Sequence, residues 1–289
     1  MRAADAEAVV AALRRPRYEV LPLDGVAERV AEHVPRDVTV TVTASPARGL
    51  DRTLAVAERL AAGGHRVVPH LSARLVTGRA HLDQVMQRLA DSGIGDVLVV
   101  AGDVGQPAGP FGGALDLLVA MTELGQRPEQ VGIAGYPERH PLIDDDVTIQ
   151  AMWDKRRFAT YIVSQLCFRP RAVAAWVQRV RRRGVDLPIH LGVPGPVDAA
   201  KLLRVSARIG IGESARLARR HSGWLPHLLR AGGYRPGRLV EGLSASLADP
   251  AGGVAGLHVY TFNEVARTER WRRETLGRLA ATASKEAHE

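Results

Sequence analysis

Several polar side chains stand where apolar runs end, and their types suit acid–base and ligand-holding chemistry. Glu19 lies among Tyr18, Val20, Leu21 and Leu23. Its carboxyl would be partly desolvated there, which raises its pKa and fits it to deliver a proton near neutral pH. A surface glutamate pairing with Arg14 or Arg17 is the open alternative. Asp103, in VVAGD, follows a glycine and could accept from an amidine-like N–H pair on a heterocycle, or cap its own turn. Gln165, in IVSQLCF, has a donor and an acceptor amid apolar neighbours and must find a partner in a ligand or inside the fold. The segment GIAGYPERHP, Gly132 to Pro141, sets Tyr136, Glu138 and His140 behind glycines, as suits a strand ending in a ligand-facing loop. His70 closes one apolar run, and Tyr260, Thr261 and Asn263 close the last. His70 and His140 show neither HxH nor HExxH spacing, so no metal site is expected. Cys167 is the single cysteine; it can form no internal disulfide or CxxC pair and reads as a small buried hydrophobe.

These residues need elements to position them. Short β-rich runs fall near Tyr18 to Leu23, Val38 to Thr43, Arg66 to Leu71, Asp96 to Ala101, Val131 to Gly135, Tyr161 to Phe168, Pro188 to Val193 and Leu257 to Thr261. Most are continuously apolar, as strands covered on both faces are. Helical periodicity separates them at Asp51 to Ala62, His81 to Ser92, Leu115 to Leu124, Ile143 to Arg157, Pro170 to Arg183 and Val197 to Ile209. Further helices are expected within Glu213 to Leu247, before the last strand, and a final one from Glu264 to about Thr282. Eight βα units in 289 residues predict an α/β fold of the (β/α)8 barrel type, with residues 1–289 forming one domain. An open doubly wound sheet is disfavoured because no GxGxxG follows an early strand, and no GxxxxGK[ST] occurs.

Composition narrows the function classes. A hydrophobic fraction of 46% supports a full globular core. No run of about 18 apolar residues is present and the first residues are charged, so a cytoplasmic protein without a membrane partner is expected. The net charge of +8 and pI near 10.3 invite a nucleic-acid reading. Only Lys155, Lys201 and Lys285 are lysines, however, so arginine supplies the charge throughout an alanine-rich chain, as codon bias would. The run Arg179 to Arg183 suits the carbonyl end of a helix, and aromatics at 4% leave few platforms for bases. No nucleic-acid partner is expected, and nothing in the sequence indicates an oligomeric state.

Taken in order, the strand-end motifs resemble those of the methylenetetrahydrofolate reductase family. YEVLP resembles the family's FEFFPP, VTVTASPARGLDRT its SVTYGA turn and following DRT, and VPHLSAR its APHLTC. VLVVAGD is similar to ALRGD, GYPERHP to AYPE-x-HP, IVSQLCF to ITQFFF, and LHVYTFN to FHFYTLN. The resemblance implies a (β/α)8 barrel that carries a hydride to 5,10-methylenetetrahydrofolate, giving 5-methyltetrahydrofolate. It implies that Glu19 is the general acid that opens the folate ring to an iminium ion, and that Asp103 and Gln165 hold the pterin. It also implies FAD, the family's cofactor, with NADH or NADPH as the hydride source.

Departures from the family pattern fall on its flavin positions. Ala101 replaces an arginine, Ala44, Ser45 and Pro46 replace a glycine-rich turn, and TIQAMWDKRRFAT keeps only the basic Lys155, Arg156 and Arg157 of the stretch before the sixth strand. The expectation is that flavin is bound weakly or not at all and that the nicotinamide cofactor reduces the folate directly, with His70, Tyr136, His140, Lys155 and Arg156 serving the dinucleotide. The alternatives are a conventional FAD-dependent reductase with divergent contacts and a non-catalytic folate- or nucleotide-binding barrel.

Overall fold

A computed structural model describes residues 2–140, 143–198 and 234–286. Eight strands close a parallel barrel in sequence order: β1 (Arg17–Val20), β2 (Thr39–Val42), β3 (Val67–Ser72), β4 (Asp96–Val100), β5 (Gln130–Gly135), β6 (Tyr161–Ser164), β7 (Ile189–Pro194) and β8 (Val254–Tyr260). β8 returns to β1 with Arg17 opposite His258 and Glu19 opposite Tyr260. The crossovers include α2 (Val26–His33), α3 (Gly49–Ala62), α4 (Arg79–Asp91), α5 (Ala114–Glu123), α6 (Asp145–Lys155) and α7 (Pro170–Arg182). Before β8 come the short helices α8 (Gly237–Gly242) and α9 (Ser244–Ala248), and α10 (Val265–Glu286) follows it. The helix expected from Val197 to Ile209 lies almost wholly outside the described residues, and Val197 itself forms an antiparallel bridge with Tyr234.

Two helices are not legible in the sequence: α1 (Ala3–Arg14) and α2. The first buries Val9, Ala12 and Leu13. Arg272 of α10 donates to the carbonyls of Leu13 and Arg14 and pairs with Glu269, which also accepts from the Tyr18 hydroxyl of β1. One carboxylate thus joins β1, α1 and α10. The α2 helix has only eight residues, so its apolar stripe of Val26, Ala27 and Val30 gives little periodicity to detect.

The alternation of each strand separates two apolar regions. Tyr18, Val20, Val40, Val42, Leu71, Val97 and Val99 join the large core between sheet and helices, whereas Val68, Leu98, Tyr161 and Val163 form a separate cluster inside the barrel. The rest of the interior is polar. At the strand starts Arg17 pairs with Asp96 at 3.1 Å and donates to the Tyr161 hydroxyl, which donates to Asp96 at 2.6 Å. Burial raises the Asp96 pKa, with Arg17 opposing it.

The arginine run at the end of α7 is more than a solvated helix end. Arg179 pairs with Asp145 at 3.0 Å, Arg181 donates to the carbonyls of Gly252, Gly253, Val185 and Leu187, and Arg183 bonds Gln150. These cations fasten α7 to α6 and to the turn before β8.

Candidate active site

Glu19 and His258 meet inside the barrel because residues two apart on a strand share a face and the β1–β8 register sets the two strands side by side. His258 Nε2 lies 3.0 Å from Glu19 Oε2, and His70 Nε2 approaches the same oxygen at 3.9 Å from β3. The Glu19 side chain is 13% exposed and His258 fully buried. Burial raises the Glu19 pKa to about 7, with His70 opposing slightly. Burial lowers His70 to about 4 and His258 to about 3, the Arg17 charge adding to the effect on His258. A protonatable carboxyl thus stands between two neutral imidazoles near pH 7. In a closed barrel β1 has no free edge, so the alternative of a surface glutamate paired with Arg14 or Arg17 does not arise.

Tyr260 completes this cluster. Its ring meets His258 edge-on at 5.0 Å and its hydroxyl donates to the Ser164 carbonyl at 3.2 Å. Burial lifts the phenol well above its ordinary pKa, and the Glu19 charge adds to that. His258 is not among the residues that the sequence reading singles out. The signal is nonetheless there in LHVY, where a histidine and a tyrosine two apart interrupt an otherwise apolar strand on one face.

Across the mouth from β1 stand the ends of β4, β5 and β6, as the strand order requires. Asp103 is exposed after β4, behind Gly102 at φ 91°, where a Cβ would overlap Ser72 Oγ. Arg74 supports this loop by donating to the Val104 and Gly112 carbonyls. Gln165 does not interrupt β6 as expected. The strand ends at Ser164, and Gln165 is exposed just beyond it, its Oε1 accepting from the Leu166 amide at 2.8 Å. Gly192 permits this turn: a Cβ there would sit 2.7 Å from the Gln165 carbonyl and closer still to that of Ser164. After β5, Tyr136 and His140 meet edge-on at 4.9 Å. Glu138 is buried and accepts from the Phe168 and Arg169 amides, both at 2.6 Å, fixing the start of α7. The buried Cys167, its pKa raised by desolvation, lies past the strand end rather than within it.

Of the residues expected to meet a dinucleotide, one joins the Glu19 cluster and two lie far from it. His70 points into the barrel beside Glu19 and is buried. Lys155 and Arg156 close α6 just before β6 begins, at the end of the barrel opposite the mouth. Helices run antiparallel to the strands they connect, so a crossover's last turn always lies there. Arg156 stacks on Trp153 at 3.8 Å and donates to its carbonyl, while burial lowers Lys155 to about 8. Of the positions that depart from the family's flavin pattern, Ala101 has its carbonyl bonded to the Arg74 amide, and the basic Lys155 and Arg156 lie at the far end of the barrel.

The end of β8 is held in an uncommon conformation. Phe262 and Asn263 have φ of 51° and 61°, a left-handed pair rare for non-glycine residues. The Asn263 amide bonds both the N–H and the carbonyl of Leu21, and Phe262 packs with Leu21 and Leu23. This joins the β8 and β1 loops beside Glu19. A polar cleft of about 440 Å³ opens next to it, lined in part by Arg29, Arg48, Asn263 and Glu264. Among the described residues there is no cluster of three or more metal-ligating side chains, and no helix is long and apolar enough to cross a membrane.

Residues 20–212 match the family described as methylenetetrahydrofolate reductase. Methylenetetrahydrofolate reductase 2 of Saccharomyces cerevisiae is 29% identical over 134 residues, 43% of this chain and 22% of that protein, so the match spans about a fifth of the relative's length. Among solved structures, dihydropteroate synthase from Thermus thermophilus is 14% identical with a TM-score of 0.44, covering 93% of this chain and 94% of that one. The Yersinia pestis enzyme of the same name is 14% identical with a TM-score of 0.42, covering 94% of each. The family match begins one residue after Glu19 and ends before β8, so the Glu19–His258 pair stands on geometry alone. With its matched segment running from the first strand through most of the barrel, the chain belongs to the methylenetetrahydrofolate reductase family.

Proposed function

We propose that the chain works as a single barrel domain that reduces 5,10-methylenetetrahydrofolate to 5-methyltetrahydrofolate, taking the hydride from NADH or NADPH without a bound flavin. The observation that carries this reading is the Glu19 carboxyl, buried against His258 with its pKa near 7. Glu19 protonates the bridging nitrogen of the folate's five-membered ring; the C–N bond breaks and leaves an iminium carbon. Hydride from the nicotinamide adds to that carbon to give the methyl group, and solvent returns the proton to Glu19. Asp103 and Gln165, across the mouth from Glu19, hold the pterin by donor–acceptor pairing, which orients the carbon toward the donor. Tyr136 and His140 face the nicotinamide nucleotide.

The departures at Ala101 and at Ala44 to Pro46 from the family's flavin positions support direct transfer. Lys155 and Arg156 leave the set of dinucleotide-binding residues, because their end of the barrel is remote from the acid. Glu19→Gln tests the acid: turnover should collapse while folate binding survives, and unchanged turnover removes Glu19 from the mechanism. Near-ultraviolet to blue absorbance of the purified protein, with assay of each nicotinamide in flavin-free buffer, tests the donor. Stoichiometric flavin that cannot be lost without loss of activity defeats direct transfer and leaves an FAD-dependent reductase.

A further inference from the structure

The geometry points to His258 as a positioning residue that assigns the acid proton of Glu19 to Oε1. This rests on Glu19 being the general acid. His258 is fully buried with Nε2 3.0 Å from Glu19 Oε2, and its Nδ1 has no hydrogen-bond partner among the described residues. A buried N–H without an acceptor is costlier than a bare ring nitrogen, so the hydrogen belongs on Nε2, where an acceptor waits. Oε2 therefore accepts a bond whether Glu19 is protonated or ionised. The transferable proton then has one place, Oε1, and the carboxyl is held in one rotation.

The surroundings keep this assignment stable. The groups facing the pair are His70 from β3, Tyr260 from β8 and, nearer the strand starts, Arg17 from β1 and His190 from β7. Tyr136, after β5, adds to the burial-driven rise of the Tyr260 pKa. The three histidines are neutral near pH 7 and Tyr260 is protonated, so none of them competes as an acid. Arg17 is held by Asp96 and Tyr161 and discourages a proton on His258. His258 thus remains a fixed donor throughout the working pH range.

The test compares His258→Phe, which removes the donor, with His258→Gln, which keeps an N–H at similar reach. The readouts are kcat, KM for folate and the alkaline limb of kcat/KM. Loss of the bond destabilises the ionised carboxylate more than the neutral acid, so His258→Phe should move the limb upward by about one pH unit. It should also lower kcat on the order of 30-fold with little change in KM, since a misdirected proton costs rate rather than binding. His258→Gln should restore the limb and most of kcat. A limb at its wild-type position in folded His258→Phe overturns the inference, as does a His258→Gln protein no better than His258→Phe. If His258→Phe does not fold, the infrared carbonyl band of protonated Glu19, identified by its loss in Glu19→Gln, decides between the outcomes. A hydrogen-bonded band in wild type and in His258→Gln supports the assignment, and a free band overturns it. Glu19→Gln assayed in parallel separates the two readings: if it keeps turnover the general acid falls, and if only the His258 variants behave as wild type the positioning role alone falls.

Discussion

Glu19→Gln should stabilise the fold at alkaline pH while it abolishes turnover. Burial raises the Glu19 pKa from 4.5 to about 7. Below 4.5 the carboxyl is neutral in both the folded and the unfolded chain, and its ionisation has no effect on stability. Between 4.5 and 7 the unfolded chain releases the proton while the folded one keeps it, so stability falls as pH rises. Above 7 the full cost is present. A shift of that size at roughly 1.4 kcal/mol per unit is about 3 kcal/mol. Glutamine has nothing to ionise and its amide can still bond His258, so the cost disappears. Urea unfolding of wild type and variant at about pH 5 and about pH 8.5 measures it. Part of the cost is already present at about pH 5, so the stability difference, variant minus wild type, should rise by about 2.5 kcal/mol across that interval. Equal differences at both pH values would refute the idea that this carboxyl is desolvated, and the acid–base reading would lose its support. The low pKa values of His70, His190 and His258 act in the acid range. Their contribution is present above 6.5 and lost as pH falls through 4 to 3, and it is shared by both proteins.

In wild type, kcat/KM should fall as pH rises through about 7, because the acid form of Glu19 is the reactive one; a flat profile to about pH 9 would contradict this. Gly192→Ala forces the Ser164 and Gln165 carbonyls to move, so it should cost about 1–3 kcal/mol in urea unfolding and raise the folate KM. Asp96→Ala leaves Arg17 and the Tyr161 hydroxyl without their carboxylate and should destabilise by about 3 kcal/mol, read by the urea midpoint at unchanged m-value. Lys155→Met should leave the KM for NADH and NADPH within about twofold, because Lys155 lies at the far end of the barrel; a tenfold rise would return it to the cofactor site.

Alternation and apolar runs locate all eight strands within a few residues, because strands buried on both faces can be little else. The strand-end polar residues are equally visible: a charged or amide group in such a run either has a partner or faces a ligand. The short α2 is hidden by its length, and α1 lies in a charged stretch whose apolar face holds only a few small and medium side chains. The structure places Lys155, Arg156 and His70 where sequence proximity does not, for two reasons. Lys155 and Arg156 stand close in sequence to the mouth loop of Tyr136 and His140, but α6 carries them down the outside of the barrel to its other end. His70 lies within β3 rather than at its end, and strand parity turns it inward.

The sequence by itself determined the eight strands, their parallel order, most of the crossover helices and most of the residues with chemistry to offer, because periodicity and side-chain type are local properties. Only the tertiary structure decided which of these residues meet. Glu19 and His258 are separated by 239 positions, and only closure of β8 onto β1 brings them to 3.0 Å. Closure also removes Glu19 from water, and that loss of hydration, which no window of sequence contains, makes an ordinary carboxylate an acid for neutral pH.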